Sequence, residues 1–151
     1  ENEARPGTEN LLSIAGLTTA FEQFVPSPVF DAELLSELSN TLIAGLSAIP
    51  GVSFQGHPSL RLANTAAFTV RDWDSISLLA ALDLEGVCAS SGSACSVGSL
   101  EPSHVLIAMG LTPVTANSLV RFSLGRESTA QDIESTISAF RKILSSSAGC
   151  Q

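Results

Sequence analysis

Three residues of the 151-residue chain stand where side-chain chemistry could take place. Cys95 lies in the segment SSGSACSVGS, whose small residues leave the thiol accessible, and an accessible thiolate is a nucleophile. Arg121 interrupts an apolar strand pattern, and its guanidinium can bind a carboxylate through two parallel hydrogen bonds. Thr8 precedes a predicted helix, whose first N–H groups attract anions. Each also has a structural alternative: Cys95 as a buried thiol, Arg121 as an edge-strand arginine or a structural ion pair, and Thr8 as a helix cap.

Three further polar residues are expected to be structural. His104 lies in a predicted short helix, one turn from its start, and no partner in the sequence supports an acid–base role over a surface or packing role. Arg126 follows Gly125 in a predicted turn. Cys88 lies in a predicted short strand, where we expect it to be buried as a small apolar residue.

Composition limits the possible functions. The chain is 44% hydrophobic and 15% charged, with a mean hydropathy of +0.32, which predicts a folded domain with surface that faces other protein. Seven basic and fifteen acidic residues give a formal charge of −8. Because the sequence has no cluster of lysines and arginines to bind phosphates, it does not predict a nucleic-acid binder. No apolar run predicts a membrane span or signal peptide. The three cysteines lack zinc-site spacing, and their odd number favours a reducing compartment such as the cytoplasm.

Hydrophobic periodicity and breaker residues predict an α+β fold in which helices cover a small sheet. The predicted elements are helix 10–24, a helix capped by Asp31, strands 52–56 and 65–71, helix 74–82, strand 86–88, a loop, a short helix ending at Met109, a turn at 112–113, strand 119–124 and a last helix. The inward residues of the second and last helices are predicted to be Leu35, Leu38, Leu42, Leu46, Ile49, Ile133, Ile137, Phe140 and Leu144. Ser128 and Gln131 are expected to form the capping box of the last helix.

Three stretches together carry a family resemblance. RPGTEN before an apolar helix, then SSGSACSVGSLEPSHVLIAMGL, then VRFSLGR make the chain resemble the C-terminal part of a cysteine desulfurase with a long cysteine loop. These enzymes are class V members of the fold-type I aminotransferases and use pyridoxal 5′-phosphate. Ser96 and the segment RLANTAAFTV depart from the family pattern. The resemblance implies that residues 1–25 end the large domain and that residues 26–151 form the small, mostly antiparallel C-terminal domain, with the cysteine loop at 89–100.

The same resemblance implies a role for each candidate residue. Cys95 would attack the sulfur of L-cysteine bound to the cofactor, become a persulfide and leave L-alanine. Arg121 would hold the substrate α-carboxylate. Thr8 would contact the cofactor phosphate of the partner subunit's site in a homodimer. The sulfur would then pass to an iron–sulfur scaffold or another acceptor protein.

The lysine content bears on whether the chain is complete. Six of the seven basic residues are arginines, and the only lysine is Lys142, in the last turns of a predicted amphipathic helix. In the family, the lysine that binds the cofactor follows a Ser-x-His motif, which this sequence lacks. We therefore expect a segment cut from a larger enzyme, without covalently bound cofactor and inactive by itself.

Two other functions remain open at this point. A selenocysteine lyase would have the same cysteine and arginine, and a stand-alone module could carry persulfide or bind a partner. A disulfide between Cys95 and either Cys88 or Cys150 is also possible, because sequence does not give the distance between thiols.

Overall fold

A computed structural model describes residues 7–26, 31–92 and 102–147. The helices are α1 (Leu11–Phe24), α2 (Ala32–Ser47), α3 (Ser75–Leu84), α4 (His104–Ala108), α5 (Pro113–Ala116) and α6 (Ala130–Ser147). The strands are β1 (Val52–Gln55), β2 (Thr65–Val70) and β3 (Leu119–Ser123). The chain divides into two compact units, Glu1–Asp31 and Ala32–Gln151, which are described separately.

The first unit contains the amphipathic helix α1. Asn10 caps it, because its side-chain oxygen accepts a hydrogen bond from the Ser13 backbone N–H at 3.1 Å. The predicted apolar stripe is present, yet none of the helix residues is buried. Leu11 is 72% exposed and Phe21 is 59% exposed. The sequence therefore identifies the helix correctly, and its apolar residues are exposed.

The second unit is built on a three-stranded antiparallel sheet in the order β1-β2-β3. Because side chains alternate across a strand, each strand contributes to two faces. One face carries Phe54, Phe68 and Phe122, which lie in the main core with α2, α3 and α6. The α+β prediction, with helices covering a small sheet, is confirmed.

A chain of aromatic contacts runs through the main core. Phe68 contacts Phe54 and Phe122 edge to face, with ring centroids 5.8 and 6.1 Å apart, and Phe122 contacts Phe140 of α6 at 6.1 Å. All five residues predicted to face inward from the second helix are buried. Ile133 and Phe140 of α6 are buried as well, while Ile137 and Leu144 pack partly buried against the same cluster. The helical spacing of apolar residues thus predicted the buried faces of α2 and α6.

The opposite face of the sheet is covered by the two short helices α4 and α5. A second, smaller cluster forms there from Leu106, Ala116 and Leu119, with Ala67 partly buried against it. Ser118, which follows α5, fixes this layer to β2, because its hydroxyl accepts from the Val70 backbone N–H at 3.0 Å. Arg121 belongs to this face, since it alternates with the core residues Val120 and Phe122.

The structure corrects three predictions made from the sequence. Residues 86–88 form no strand, and the only pairing nearby is a single antiparallel bridge between Ser90 and Arg121. Cys88 is exposed instead of buried. The capping box of α6 lies one residue later than predicted, at Thr129 and Asp132, because the Ser128 hydroxyl accepts instead from the Gly125 backbone N–H at 2.9 Å.

Candidate carboxylate-binding site

Arg121 occupies the middle of a row of residues that crosses the sheet. The strand register pairs Gln55 of β1 with Ala67 of β2, and Ala67 with Arg121 of β3. On the outer edge of β3, Ser90 continues the row through the single bridge. The small methyl side chain of Ala67 therefore lies between a neutral amide on one side and a guanidinium on the other.

Ser90 is joined to Arg121 through both backbone and side chain. The Ser90 N–H donates to the Arg121 carbonyl oxygen at 3.0 Å, and the Arg121 N–H donates to the Ser90 carbonyl oxygen at 2.6 Å. The Arg121 Nε–H donates to the Ser90 hydroxyl oxygen at 3.2 Å. Within the described part of the chain, the two Nη groups of Arg121 make no hydrogen bond. The end of the guanidinium fork is thus available to a ligand.

A cavity of about 270 Å³ opens over this row. Its polar lining includes Gln55, His104 and Arg121, and its apolar lining comes mainly from α4 and Leu119. No aspartate or glutamate is among the described residues that line it. A half-buried guanidinium without an internal counterion attracts an anion, and its planar fork matches a carboxylate. The cavity is therefore suited to a small molecule with one carboxylate and a short side chain.

His104 is the first residue of α4 and is exposed at the mouth of this cavity. It lies at the helix start and not one turn inside, because Ser103 is the cap and its hydroxyl accepts from the Leu106 N–H at 3.5 Å. In the described residues no carboxylate contacts its ring. This agrees with the prediction of a surface histidine.

Comparison with known proteins places the chain in a family. The profile described as Aminotransferase class-V matches residues 1–136. The chain belongs to the class-V aminotransferase family. It is 39% identical over 144 residues to the cysteine desulfurase IscS of Methanosarcina thermophila, and 40% identical over 138 residues to the cysteine desulfurase NifS of Azotobacter vinelandii. These alignments cover 95% and 91% of this chain.

Solved structures give the same assignment. The crystal structure of a NifS-like protein from Rickettsia africae superposes with a TM-score of 0.74 at 34% identity, over 93% of this chain and 36% of the other. A second NifS-like protein superposes with a TM-score of 0.76 at 26% identity. The chain spans only about a third of the length of its curated relatives, namely 36% of the IscS protein and 34% of the NifS protein.

Of the other two predicted site residues, one belongs to the first compact unit and one lies outside the described residues. Thr8 is exposed, two residues before the Asn10 cap of α1, in the first compact unit. Cys95 and Cys150 lie outside the described residues, as does most of the predicted cysteine loop. Their roles, and any disulfide that involves them, stay predictions.

The only lysine of this class-V chain is placed away from the cavity. Lys142 of α6 donates to both carboxylate oxygens of Glu85, at 2.7 and 2.8 Å, beyond the end of α3. Helix α6 packs on the face of the sheet opposite Arg121. Pyridoxal 5′-phosphate, which the family resemblance implies, needs a lysine that these residues do not provide. Lys142 and Arg121 therefore lie on opposite faces of the sheet.

Sequence reasoning missed three residues of this site, namely Gln55, Ala67 and Ser90. Gln55 donates through Nε2 to the Thr69 hydroxyl at 2.8 Å, which holds the amide at the edge of the cavity. Ser90 opens the SSGSAC motif, and Gln55 and Ala67 belong to no motif. No local pattern shows that the three meet Arg121, because each joins the site only through pairing with a neighbouring strand. A search for polar residues at strand ends would have found Gln55 alone.

Proposed function

We propose that this chain is the C-terminal part of a pyridoxal-phosphate-dependent cysteine desulfurase. The reaction takes L-cysteine and the Cys95 thiol and gives L-alanine and a persulfide on Cys95. The carbon–sulfur bond of the substrate breaks, a sulfur–sulfur bond forms at Cys95, and the substrate β-carbon gains a proton. Atoms and electrons balance without an added oxidant or reductant.

The observation that carries the proposal is the guanidinium of Arg121. It is half-buried, and its Nε is held by Ser90. Within the described residues its two Nη groups are free, and none of those that line the cavity is acidic. This arrangement binds the α-carboxylate of an amino acid. The desulfurase relatives supply the reaction class, since both are named for that activity.

Pyridoxal phosphate, when bound, supplies an electron sink that weakens bonds next to the amino-acid nitrogen. The residues of this chain have other tasks. Arg121 fixes the carboxylate and so orients the substrate side chain, while the apolar residues of α4 restrict water at that end of the cavity. Thr8, exposed near the start of α1, contacts the cofactor phosphate of a partner subunit in a homodimer. Cys95 accepts the sulfur.

The persulfide on Cys95 then passes its terminal sulfur to an iron–sulfur scaffold or another acceptor protein. We expect this to take place in the cytoplasm, where a reducing environment keeps the cysteines from forming disulfides. Among the residues that the structure describes, no helix has the length and apolar character needed to cross a bilayer.

The test uses the full-length protein that carries this chain, loaded with pyridoxal phosphate. L-alanine and sulfide are measured with L-cysteine as substrate, and persulfide is located by mass spectrometry of the Cys95 peptide. Arg121→Gln removes the two free donors to the carboxylate. Because a hydrogen bond to a charged group contributes about 1.5–3 kcal/mol, we expect KM to rise roughly 10-fold to 150-fold. Arg121→Lys retains the charge without the planar fork, so its KM should lie between those of the wild type and Arg121→Gln.

Arg71→Gln is the matched control, since it removes the same charge from an exposed position just after β2. Its KM should equal that of the wild type. Cys95→Ala should bind the cofactor and form no persulfide. A wild-type protein that gives no alanine would overturn the proposed reaction, while an unchanged KM for Arg121→Gln would overturn the role of the arginine.

A further inference from the structure

The hydroxyl of Ser90 makes two contacts with Arg121. It accepts from the Arg121 Nε–H at 3.2 Å and lies 3.4 Å from the Arg121 carbonyl oxygen, to which it donates. The backbone groups of the two residues form a reciprocal pair, so the Ser90 Cα stays at a fixed distance from β3. The backbone pairing and the short serine side chain therefore hold the hydroxyl beside the guanidinium.

This contact selects one edge of the guanidinium. An arginine can bind a carboxylate through Nε and one Nη, or through the two Nη groups. Since Ser90 occupies Nε, a carboxylate in the cavity is left with the Nη1–Nη2 edge. The contact also limits the rotation of a long side chain that would otherwise lose conformational freedom when the ligand binds.

We propose that Ser90 is a positioning residue, which orients Arg121 so that its Nη1–Nη2 edge receives the substrate carboxylate. The inference rests on the proposed function, because it names how the carboxylate of that substrate is recognised. It predicts an effect on substrate binding. The chemical step is not affected, since the carboxylate does not react.

Ser90→Ala tests the inference, because it keeps the backbone pair and removes only the hydroxyl. In the loaded full-length protein we expect KM for L-cysteine to rise roughly 3-fold to 30-fold, while kcat changes less than about 2-fold. Ser90→Thr keeps a hydroxyl on the same carbon and should restore most of the affinity. Ser123→Ala is the control, since Ser123 is an exposed serine two residues along β3 and should leave both constants unchanged.

A second readout does not depend on activity. Hydrogen exchange of the Arg121 Nε–H, followed by nitrogen-15 NMR of the 151-residue chain, should be roughly 3-fold or more faster in Ser90→Ala than in the wild type. The Ser90→Thr variant should exchange like the wild type. The other five arginines of the chain serve as internal references.

The outcomes separate the two proposals. If the wild type desulfurates cysteine and Ser90→Ala leaves KM unchanged, the role of Ser90 is wrong and the proposed function stands. If kcat falls instead of KM rising, Ser90 acts on the chemical step and the positioning role is also wrong. A wild type without desulfurase activity contradicts the proposed function, and the exchange rate alone then shows whether Ser90 holds Arg121.

Discussion

Gly45, in the last turn of α2, lies against Ile137 of α6. A Cβ placed on Gly45 would overlap the Cδ1 atom of Ile137 and lie 2.9 Å from its Cγ1 and 3.5 Å from its Cγ2. Rotation about χ2 can move Cδ1 away, but the position of Cγ1 is set by χ1. Isoleucine in a helix holds one χ1 rotamer strongly, so the 2.9 Å approach to Cγ1 is not relieved without cost. We therefore expect Gly45→Ala to push the two helices apart or to strain Ile137.

The magnitude follows from two opposing effects. Alanine gains at most about 1 kcal/mol over glycine at this position, which lies in the last turn of the helix. Overpacking in a well-packed interior costs about 1–3 kcal/mol. The net expectation is that Gly45→Ala lowers the free energy of unfolding by about 1 kcal/mol, opposite in sign to the effect of helix propensity alone.

A double-mutant cycle isolates the contact. Ile137→Val removes Cδ1 and by itself costs about 0.5–1.5 kcal/mol. In the double variant the worst overlap is gone, and the remaining 2.9 Å approach needs a shift of a few tenths of an ångström. We expect the pair to be more stable than the sum of the single changes by about 1–2 kcal/mol.

Urea unfolding of the 151-residue chain, followed by circular dichroism, measures all four variants, with similar m-values as the check on two-state behaviour. Ala44→Gly, at an exposed position one residue earlier on α2, calibrates the propensity effect without contact to α6. A Gly45→Ala variant stabilised by the full propensity gain, with no coupling to Ile137→Val, would show that α2 and α6 do not approach each other as described.

Two further predictions concern a helix cap and the floor of the cavity. The Ser77 backbone N–H, which donates to the Asp74 carboxylate at 2.9 Å, lowers the pKa of Asp74 below its ordinary value of 3.8. The ionised Asp74 carboxylate therefore stabilises the folded state above pH 3.8, and this stabilisation is lost as the pH falls through the lower pKa of the folded state. Asp74→Asn, which keeps the cap, should reduce the loss of stability in acid, and urea midpoints that change with pH as in the wild type would contradict this. Ala67→Leu should fill the space between Gln55 and Arg121 and raise KM for L-cysteine about 10-fold or more in the full-length protein. An unchanged KM would mean that the substrate does not enter this cavity.

The sequence predicted those parts of the fold that depend on local periodicity. The inward faces of α2 and α6 follow from apolar residues at helical spacing, because burying one stripe of a helix needs no knowledge of its partner. The strand over 119–124 was predicted as well, with Arg121 inside its apolar pattern, and the structure places Arg121 on the face opposite Val120 and Phe122. The family resemblance came from short motifs, and the match over residues 1–136 confirmed it.

The failures occurred where neighbouring groups compete or where a partner is needed. Ser128 and Thr129 are both good caps, and the choice depended on the Gly125 N–H that recruits the Ser128 hydroxyl. Residues 86–88 have strand-forming character, but in the described structure the outer edge of β3 pairs with Ser90 alone. Cys88 was expected to be buried on that strand and is exposed without it.

The amino-acid sequence alone predicted Arg121 as a carboxylate ligand and Cys95 as the sulfur acceptor, because the motifs that carry the family resemblance contain both residues. Only the tertiary structure shows which residues surround Arg121. Gln55, Ala67 and Ser90 are separated from Arg121 by 31 to 66 positions along the chain, and they meet it only through strand register and a single bridge. Register results from how loops close and cores pack, which no local pattern encodes.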